Sequence, residues 1–159
     1  MEGLRKRPLP FVPSPIDVVY KMLSIADPNP DEVLVDLGSG DGRIILSAAR
    51  YYKCRSIGVE KNTNLVDLTR RKINTMDLDN VTVVHGDLYN FDFSKADVVT
   101  LYLLPETLHI LLPKFKELKR GARIISHDYH IPYLTPYEVH EVKSSETNRT
   151  HKIYLYLMK

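Results

Sequence analysis

The fold class of this chain follows from one octapeptide, Asp36-Leu37-Gly38-Ser39-Gly40-Asp41-Gly42-Arg43. It follows a short apolar run at 33–35 and precedes apolar residues at helical spacing, so it lies between a strand and a helix. Three glycines at alternate positions allow a tight turn and let a ligand approach the backbone, where a Cβ would block it. The octapeptide therefore predicts a ligand-binding turn at the carboxyl end of a first strand.

The spacing and charge of this turn indicate which ligand it binds. Gly-x-Gly-x-Gly differs from the Gly-x-Gly-x-x-Gly pattern that holds a pyrophosphate. Asp36 and Asp41 also place negative charge where a pyrophosphate would lie, so the turn suits a ligand with a cationic group. S-adenosylmethionine carries an ammonium and a sulfonium group and no phosphate. We therefore predict S-adenosylmethionine as the cofactor.

Strand and helix patterns alternate on the carboxyl side of the turn. The predicted strands are 33–35, 56–60, 81–84, 96–103 and 123–126. Helices between successive strands imply right-handed crossovers and parallel pairing. Residues 137–143 and 152–158 predict two strands with no helix between them, which should pair antiparallel. We predict an α/β fold with a Rossmann-like, doubly wound, mostly parallel seven-stranded sheet that ends in an antiparallel hairpin.

The first thirty residues differ in composition from the rest, since they hold six of the ten prolines. Residues 8–13 are expected to be extended and stiff. Ser14 is expected to be the N-cap of a helix that stops near Pro28 and packs through Ile16, Val19, Tyr20 and Leu23. We therefore predict one domain over residues 1–159, with an N-terminal segment and helix at 1–30 and a Rossmann-like core at 31–159. Gly121 is the expected C-cap of the helix before the fifth strand.

Two acidic residues follow the second and third predicted strands. Glu60 comes twenty positions after Gly40, where a carboxylate can accept hydrogen bonds from both ribose hydroxyls. Asp87 can accept a hydrogen bond from an adenine amino group, and the N–H of Leu88 can donate to the ring. Open α/β sheets bind ligands at the carboxyl ends of their strands, so these residues complete a predicted cofactor site.

These features resemble the class I S-adenosylmethionine-dependent methyltransferases over residues 33–159. The chain is most similar to the archaeal protein-lysine methyltransferases and their mitochondrial relatives, which share two motifs present here as Phe11-Val12-Pro13-Ser14-Pro15 and the octapeptide 36–43. The resemblance implies that the N-terminal segment folds over the cofactor, that Ser14 contacts it, and that lysine side chains of proteins are methylated, in some members on many different proteins. The predicted cofactor-binding residues are Ser14, Asp36, Leu37, Gly38, Ser39, Gly40, Glu60, Asp87, Leu88 and Tyr102.

The end of the fourth predicted strand bears on the methyl acceptor. Methyltransferases that act on exocyclic amines of bases resemble one another in an Asn/Asp-Pro-Pro-Tyr/Phe loop at this position. Here the loop is Tyr102-Leu103-Leu104-Pro105, with only the proline in common. Tyr102 is either a core aromatic or an active-site wall that shields the methyl group and steers the amine. We predict a substrate channel formed by Phe11, Tyr102 and Pro105.

The histidines suggest no metal site. His127, Asp128 and His130 are ligand types that follow the fifth strand. Along an extended strand His127 faces away from the other two, so a shared metal would need a bend, and we predict none. His151 belongs to no motif. A sulfonium is an activated leaving group, and positioning the nucleophile does most of the work, so no catalytic residue is predicted.

Composition narrows the partners only slightly. The 22 basic and 20 acidic residues give a net charge of +2, and there is one cysteine. No apolar run approaches the roughly 18 residues of a membrane span. We expect a cytoplasmic monomer that acts on proteins with exposed lysines, away from membranes, and meets nucleic acid only through nucleic-acid-binding substrates. Two alternatives remain, a methyltransferase for RNA or a small molecule, and a non-catalytic module whose basic clusters bind nucleic acid.

Overall fold

The structure is a computed structural model and describes residues 11–159. The part of the predicted extended stretch at 8–10 lies outside the described residues. The helices are α1 (Ile16–Ala26), α2 (Arg43–Ser47), α3 (Thr63–Met76) and α4 (Pro105–Lys116), and α2 continues into a π-helical turn at Ala48–Tyr52. The strands are β1 (Val33–Leu37), β2 (Arg55–Glu60), β3 (Val81–His85), β4 (Val98–Leu101), β5 (Arg123–His127), β6 (Glu138–Lys143) and β7 (Thr150–Leu157).

The seven strands form one sheet in the order β3-β2-β1-β4-β5-β7-β6. The first five pair in parallel, and β7 lies between β5 and β6 and is antiparallel to both. This arrangement confirms the predicted fold class. It also places the carboxyl ends of β1 to β5 along one edge, where the predicted site residues follow their strands.

Apolar side chains from the helices cover both faces of the sheet. On one face α1, α2 and α3 bury residues such as Leu23, Ile45 and Val66. On the other face α4 buries Leu108, Leu111 and Phe115. Helices on both faces explain why the central strands are apolar at almost every position. None of the helices at residues 11–159 combines the length and the apolar character that a membrane crossing needs.

Three local predictions are wrong. Pro15, not Ser14, is the N-cap of α1, because the Ser14 hydroxyl hydrogen-bonds to His127 instead of to the helix. The buried face of α1 includes Val18 and Met22, whereas Tyr20 is exposed. Helix α4 ends before Glu117, and Gly121, at φ +88°, lies in the turn that leads to β5.

Candidate functional site

The turn after β1 is held in a conformation that requires glycine. Both Gly38 and Ser39 donate backbone hydrogen bonds to the Val59 carbonyl in β2, at 2.8 and 3.0 Å. Gly42 has φ +82°, and a Cβ there would lie 2.6 Å from the Thr69 Cγ2 atom. At Gly40, with φ +58°, a Cβ would overlap the ring of Phe11. The turn therefore exposes backbone at the carboxyl edge of the sheet, as the sequence predicts.

Asp36 is the buried acidic group of this turn. Its carboxyl accepts a hydrogen bond from Thr100 Oγ1 at 2.8 Å, and only 3% of the residue is exposed. Burial raises the pKa of Asp36 to about 8, with a further contribution from the charges of Glu60 and Asp41. A cationic group that entered beside Asp36 would favour its ionised form.

Asp41 differs from Asp36, since its charge is already balanced. Arg43 donates from Nη2 and Nε to the two carboxylate oxygens, at 2.7 and 3.0 Å. Burial opposes the ionisation of Asp41, but the Arg43 hydrogen bonds outweigh it and hold the pKa below its usual value. The electrostatic argument against a pyrophosphate therefore rests on Asp36.

Glu60 and Asp87 lie at the neighbouring strand ends. Glu60 accepts hydrogen bonds from the N–H groups of Gly40, at 2.9 Å, and Asn62, at 2.8 Å. Glu60 thus links the end of β2 to the glycine turn. Asp87 is exposed and accepts from the Tyr89 N–H at 2.9 Å, while Leu88 packs against the core.

Ser39 is in close contact with β2, which the sequence does not predict. A Cβ added at Gly58 would lie 2.5 Å from the Ser39 Oγ atom and 2.6 Å from its Cβ. Within residues 11–159, Ser39 Oγ is also the one buried side-chain nitrogen or oxygen that lacks a hydrogen-bond partner. Gly58 thus lets the glycine turn pack directly on the strand, a role that no sequence motif indicates.

The N-terminal segment 11–15 lies across this edge of the sheet. The Phe11 ring lies against Gly40, and the Ser14 Oγ is 2.8 Å from the His127 Nδ1. Arg43 Nη1 donates to the Ser14 carbonyl at 2.9 Å. The segment therefore extends from the glycine turn to the end of β5.

Tyr102 is half-buried at the end of β4 and stacks on other rings. Its ring centroid lies 3.9 Å from that of His127 and 6.1 Å from that of Tyr129. Its hydroxyl donates to the Asp128 Oδ2 at 3.4 Å, and burial raises the pKa of Tyr102. Pro105 is exposed at the first position of α4.

A buried histidine pair lies behind Tyr102, and the sequence indicates only one of its members. His127 Nε2 is 2.8 Å from His151 Nδ1, and His151 Nε2 is 2.7 Å from Thr147 Oγ1. Burial lowers the pKa of His127 to about 4, so this ring is neutral near pH 7. With Ser14 donating to His127, the neutral pair can form a continuous hydrogen-bond relay.

Asp128 lies beside this pair, and metal-ligand atoms of His127, Asp128 and His151 all lie within 4.8 Å of one another. Each of these side chains already has partners, because the histidines bond to one another and Arg149 donates to both Asp128 oxygens, at 2.9 and 3.3 Å. The sequence groups His130 with His127, but His130 is exposed and packs against Tyr154 instead. His151 takes that place because β7 runs antiparallel beside β5, a pairing that no spacing in the sequence reveals.

Comparisons with known proteins give consistent results. The ANTKMT methyltransferase domain model matches residues 36–138. A protein-lysine N-methyltransferase of Saccharolobus islandicus is 38% identical over 156 residues, 94% of each chain. The adenine nucleotide translocase lysine N-methyltransferase of Mus musculus is 33% identical over 86% of this chain, and an ATP synthase lysine N-methyltransferase of Homo sapiens is 34% identical over 84%. These two mammalian relatives are longer, and this chain spans 62% and 58% of their lengths.

A solved structure also matches closely. The crystal structure of an RNA methyltransferase from Salinibacter ruber in complex with S-adenosyl-L-homocysteine superposes with a TM-score of 0.85 at 37% identity. The match covers 92% of this chain and 94% of that one.

Proposed function

Since this chain belongs to the ANTKMT methyltransferase family and is an S-adenosylmethionine-dependent methyltransferase, we propose that it methylates lysine side chains of proteins. The observation that carries the proposal is the similarity to the Saccharolobus islandicus protein-lysine N-methyltransferase over nearly the full length of both chains. The Tyr102-Leu103-Leu104-Pro105 loop supports it, because this loop lacks the motif of base-amine methyltransferases.

The residues at the glycine turn suit S-adenosylmethionine. The buried Asp36 is a partner for the ammonium group, and the backbone of 37–40 offers a surface free of side chains. Each Glu60 oxygen accepts one backbone hydrogen bond and keeps capacity for a ribose hydroxyl. Asp87 and Leu88 are proposed to hold the adenine, and Ser14 and Tyr102 the methionine end. When bound, the cofactor supplies a methyl group on a positively charged sulfur.

The protein's own contribution to the reaction is positioning and desolvation. A lysine amine has a reference pKa near 10.4, so its nucleophilic neutral form is scarce at neutral pH. The proposed channel is lined by Phe11, Tyr102 and Pro105. Removal of water by these side chains disfavours the ammonium form, and no dedicated base is required.

The rim of this channel supports a broad range of protein substrates. Phe11 is 46% exposed and Tyr133 is 83% exposed, and Leu104 is also accessible. Exposed apolar and aromatic side chains of this kind contact many flexible segments and read little sequence. We propose that several proteins are methylated.

The domain organisation, the oligomeric state and the compartment also belong to this proposal. We propose one methyltransferase domain over residues 1–159 that acts as a monomer in the cytoplasm. Buried Cys54 is a free thiol in keeping with a reducing compartment, and all the proposed site residues come from one chain. Light scattering of the cofactor complex should give the mass of one chain, and a dimer mass would contradict the monomer.

Protein lysines should receive the methyl group in a cell extract. Extract from the source cell is incubated with enzyme and radiolabelled S-adenosylmethionine and then digested with protease or nuclease. We expect the label to be lost from the polymer fraction only after protease, and mass spectrometry to find +14 Da steps on lysines. Prior acetylation of the lysines should abolish the labelling. Label in the nuclease-sensitive fraction would favour RNA, in line with the Salinibacter ruber structure, and label on a small metabolite would favour the other alternative.

Removal of residues 1–14 should weaken S-adenosylhomocysteine binding by about 10-fold or more, because it removes the Phe11 ring beside Gly40 and the two Ser14 hydrogen bonds. The sheet should remain folded, since its strands and core lie outside the deletion. Calorimetry measures the affinity, and circular dichroism checks the fold. Val12→Ala is the control because Val12 is 60% exposed. Unchanged affinity in the truncated protein would limit the segment to packing.

A further inference from the structure

The carboxyl edge of the sheet has two chemically different sides. Glu60 and Asp87 follow β2 and β3, on one side of the glycine turn after β1. Tyr102 and Asp128 follow β4 and β5, on the other side. If the first side holds the ribose and adenine, as proposed above, the second side faces the methyl group and its acceptor.

Asp128 is held in an unusual backbone conformation on the acceptor side. Its φ is +63°, in the left-handed region that a residue with a Cβ adopts at some cost. The conformation is fixed by hydrogen bonds from the Asp128 N–H to the Lys152 carbonyl at 2.7 Å and from the Lys152 N–H to Asp128 Oδ1 at 3.2 Å. Surrounding contacts thus direct the carboxylate toward Tyr102, and a strained residue of this kind is a candidate for function.

The charge of Asp128 is set by the groups around it. Burial opposes its ionisation, but Arg149 outweighs this effect and keeps the pKa below its usual value, so Asp128 is a carboxylate at neutral pH. The other titratable groups that face it are Tyr102 from β4, His127 from β5 and His151 from β7. Because both histidine rings have hydrogen-bond partners and His127 is neutral, Arg149 is the charge that balances Asp128.

Tyr102 completes the pair. Its hydroxyl hydrogen points to Asp128 Oδ2, so a lone pair on the Tyr102 oxygen remains available. The ring is fixed from behind by His127, which is fully buried. The Asp128 side chain is 13% exposed and Tyr102 is half-buried, so both can be reached by a narrow side chain from outside.

We propose that Asp128 and Tyr102 together bind the acceptor amine and orient its lone pair. This inference rests on the proposed function. A neutral lysine amine has two N–H donors and one lone pair; one N–H donates to the Asp128 carboxylate and the other to the Tyr102 oxygen, which leaves the lone pair facing the methyl group. The lysine proton passes to water beforehand. The nitrogen lone pair then forms the new N–C bond as the S–C bond breaks, and the electrons of that bond stay on sulfur.

The pairing of Asp128 with Arg149 fits this role. An isolated carboxylate would bind the ammonium form strongly and hold its proton. With Arg149 at 2.9 Å, the local charge is close to neutral, so Asp128 can accept a hydrogen bond without stabilising the ammonium as strongly.

Asp128→Asn and Tyr102→Phe test the proposal, since both preserve shape. The acceptor is a synthetic peptide around the lysine most strongly labelled in the extract. Tyr102→Phe should lower kcat by about 10- to 100-fold, the range for removal of one to two hydrogen bonds that orient a reacting group. Asp128→Asn should lower kcat/KM and shift the acidic limb of the kcat profile to lower pH, because loss of the carboxylate lowers the pKa of the bound lysine. A merely structural role of Asp128 would not move that limb.

Calorimetry with S-adenosylhomocysteine provides a readout that is independent of activity. Both variants should bind it within about 2-fold of the parent, since a change much below 1 kcal/mol is expected where no cofactor contact is lost. Asp67→Asn and Tyr137→Phe are the controls, because both residues are exposed and neither follows a parallel strand. If the parent methylates the peptide and both test variants keep its kcat, KM and pH limb, the proposal is wrong. If the parent labels no lysine at all, the proposed function fails first.

Discussion

Asp36→Asn should weaken S-adenosylhomocysteine binding by about 10- to 150-fold, the range expected for one hydrogen bond to a charged group, and should raise the melting temperature of the cofactor-free protein. The loss of affinity follows from the proposed pairing of the carboxylate with the ammonium group. The gain in stability follows from the burial of Asp36, whose side-chain partner within residues 11–159 is Thr100. Asparagine keeps an oxygen for Thr100 and carries no charge at any pH.

The pH dependence gives the sign of the stability effect. Burial raises the pKa of Asp36 to about 8 in the folded protein, whereas an unfolded aspartate titrates near 3.9. Between these two values the folded state binds more protons than the unfolded state, so the contribution of Asp36 to stability falls as the pH rises. The asparagine variant lacks this loss. Its advantage in melting temperature should therefore grow from about pH 4 to pH 8 and then level off.

Differential scanning calorimetry at several pH values measures this difference. A gain of about 2–8 °C near pH 7 corresponds to roughly 1–2 kcal/mol for a domain of this size. Asp67→Asn, on the exposed side of α3, is the matched control. A variant that is less stable than the parent at every pH would show that the ionised carboxylate is stabilised by the fold.

Gly58→Ala should destabilise the protein by about 1–3 kcal/mol, as overpacking of a tight contact does, and weaken cofactor binding as well. The new Cβ would lie 2.5 Å from Ser39 Oγ and 2.8 Å from Ile45 Cδ1. Since Ile45 is flexible at its end, the glycine turn is the part that must move. The backbone of Gly58 is not in the left-handed region, so the effect is one of space alone.

A second substitution separates this contact from a general defect in β2. Ser39→Gly removes the Cβ and the hydroxyl that the new methyl group meets, and it also removes a buried oxygen that has no hydrogen-bond partner within residues 11–159. The double variant should therefore be more stable than the sum of the two single variants predicts. Urea unfolding gives the four free energies of the cycle. Additive effects would place the damage elsewhere in the strand.

The parts of the site that the sequence predicts are those whose residues are local to one strand and its turn. The glycine turn, Glu60 and Asp87 each follow a strand directly, and a parallel sheet brings such ends together. His151 cannot be found in this way, because its position beside His127 depends on the antiparallel pairing of β7 with β5. For the same reason the sequence assigns Ser14 to the helix, whereas its partner is a residue 113 positions away.

Gly58 escapes prediction for a different reason. A glycine inside a strand carries no signal of what lies above it, and only the packed turn shows that a side chain would not fit. Asp41 and Asp36 likewise look equivalent in the sequence. The structure separates them, since Arg43 balances one and burial keeps the other protonated near pH 7.

The position of β7 between β5 and β6 has a consequence for the order in which the molecule assembles. Strand β6 is made before β7 but cannot join the sheet until β7 has paired with β5. His151, on β7, completes the pocket in which His127 receives Ser14. Segment 11–15 is therefore synthesised early but is fixed only after the last strand has inserted. Such distant pairings slow folding, and during this interval the cleft beside Gly40 stays open to solvent on the side that the segment later covers.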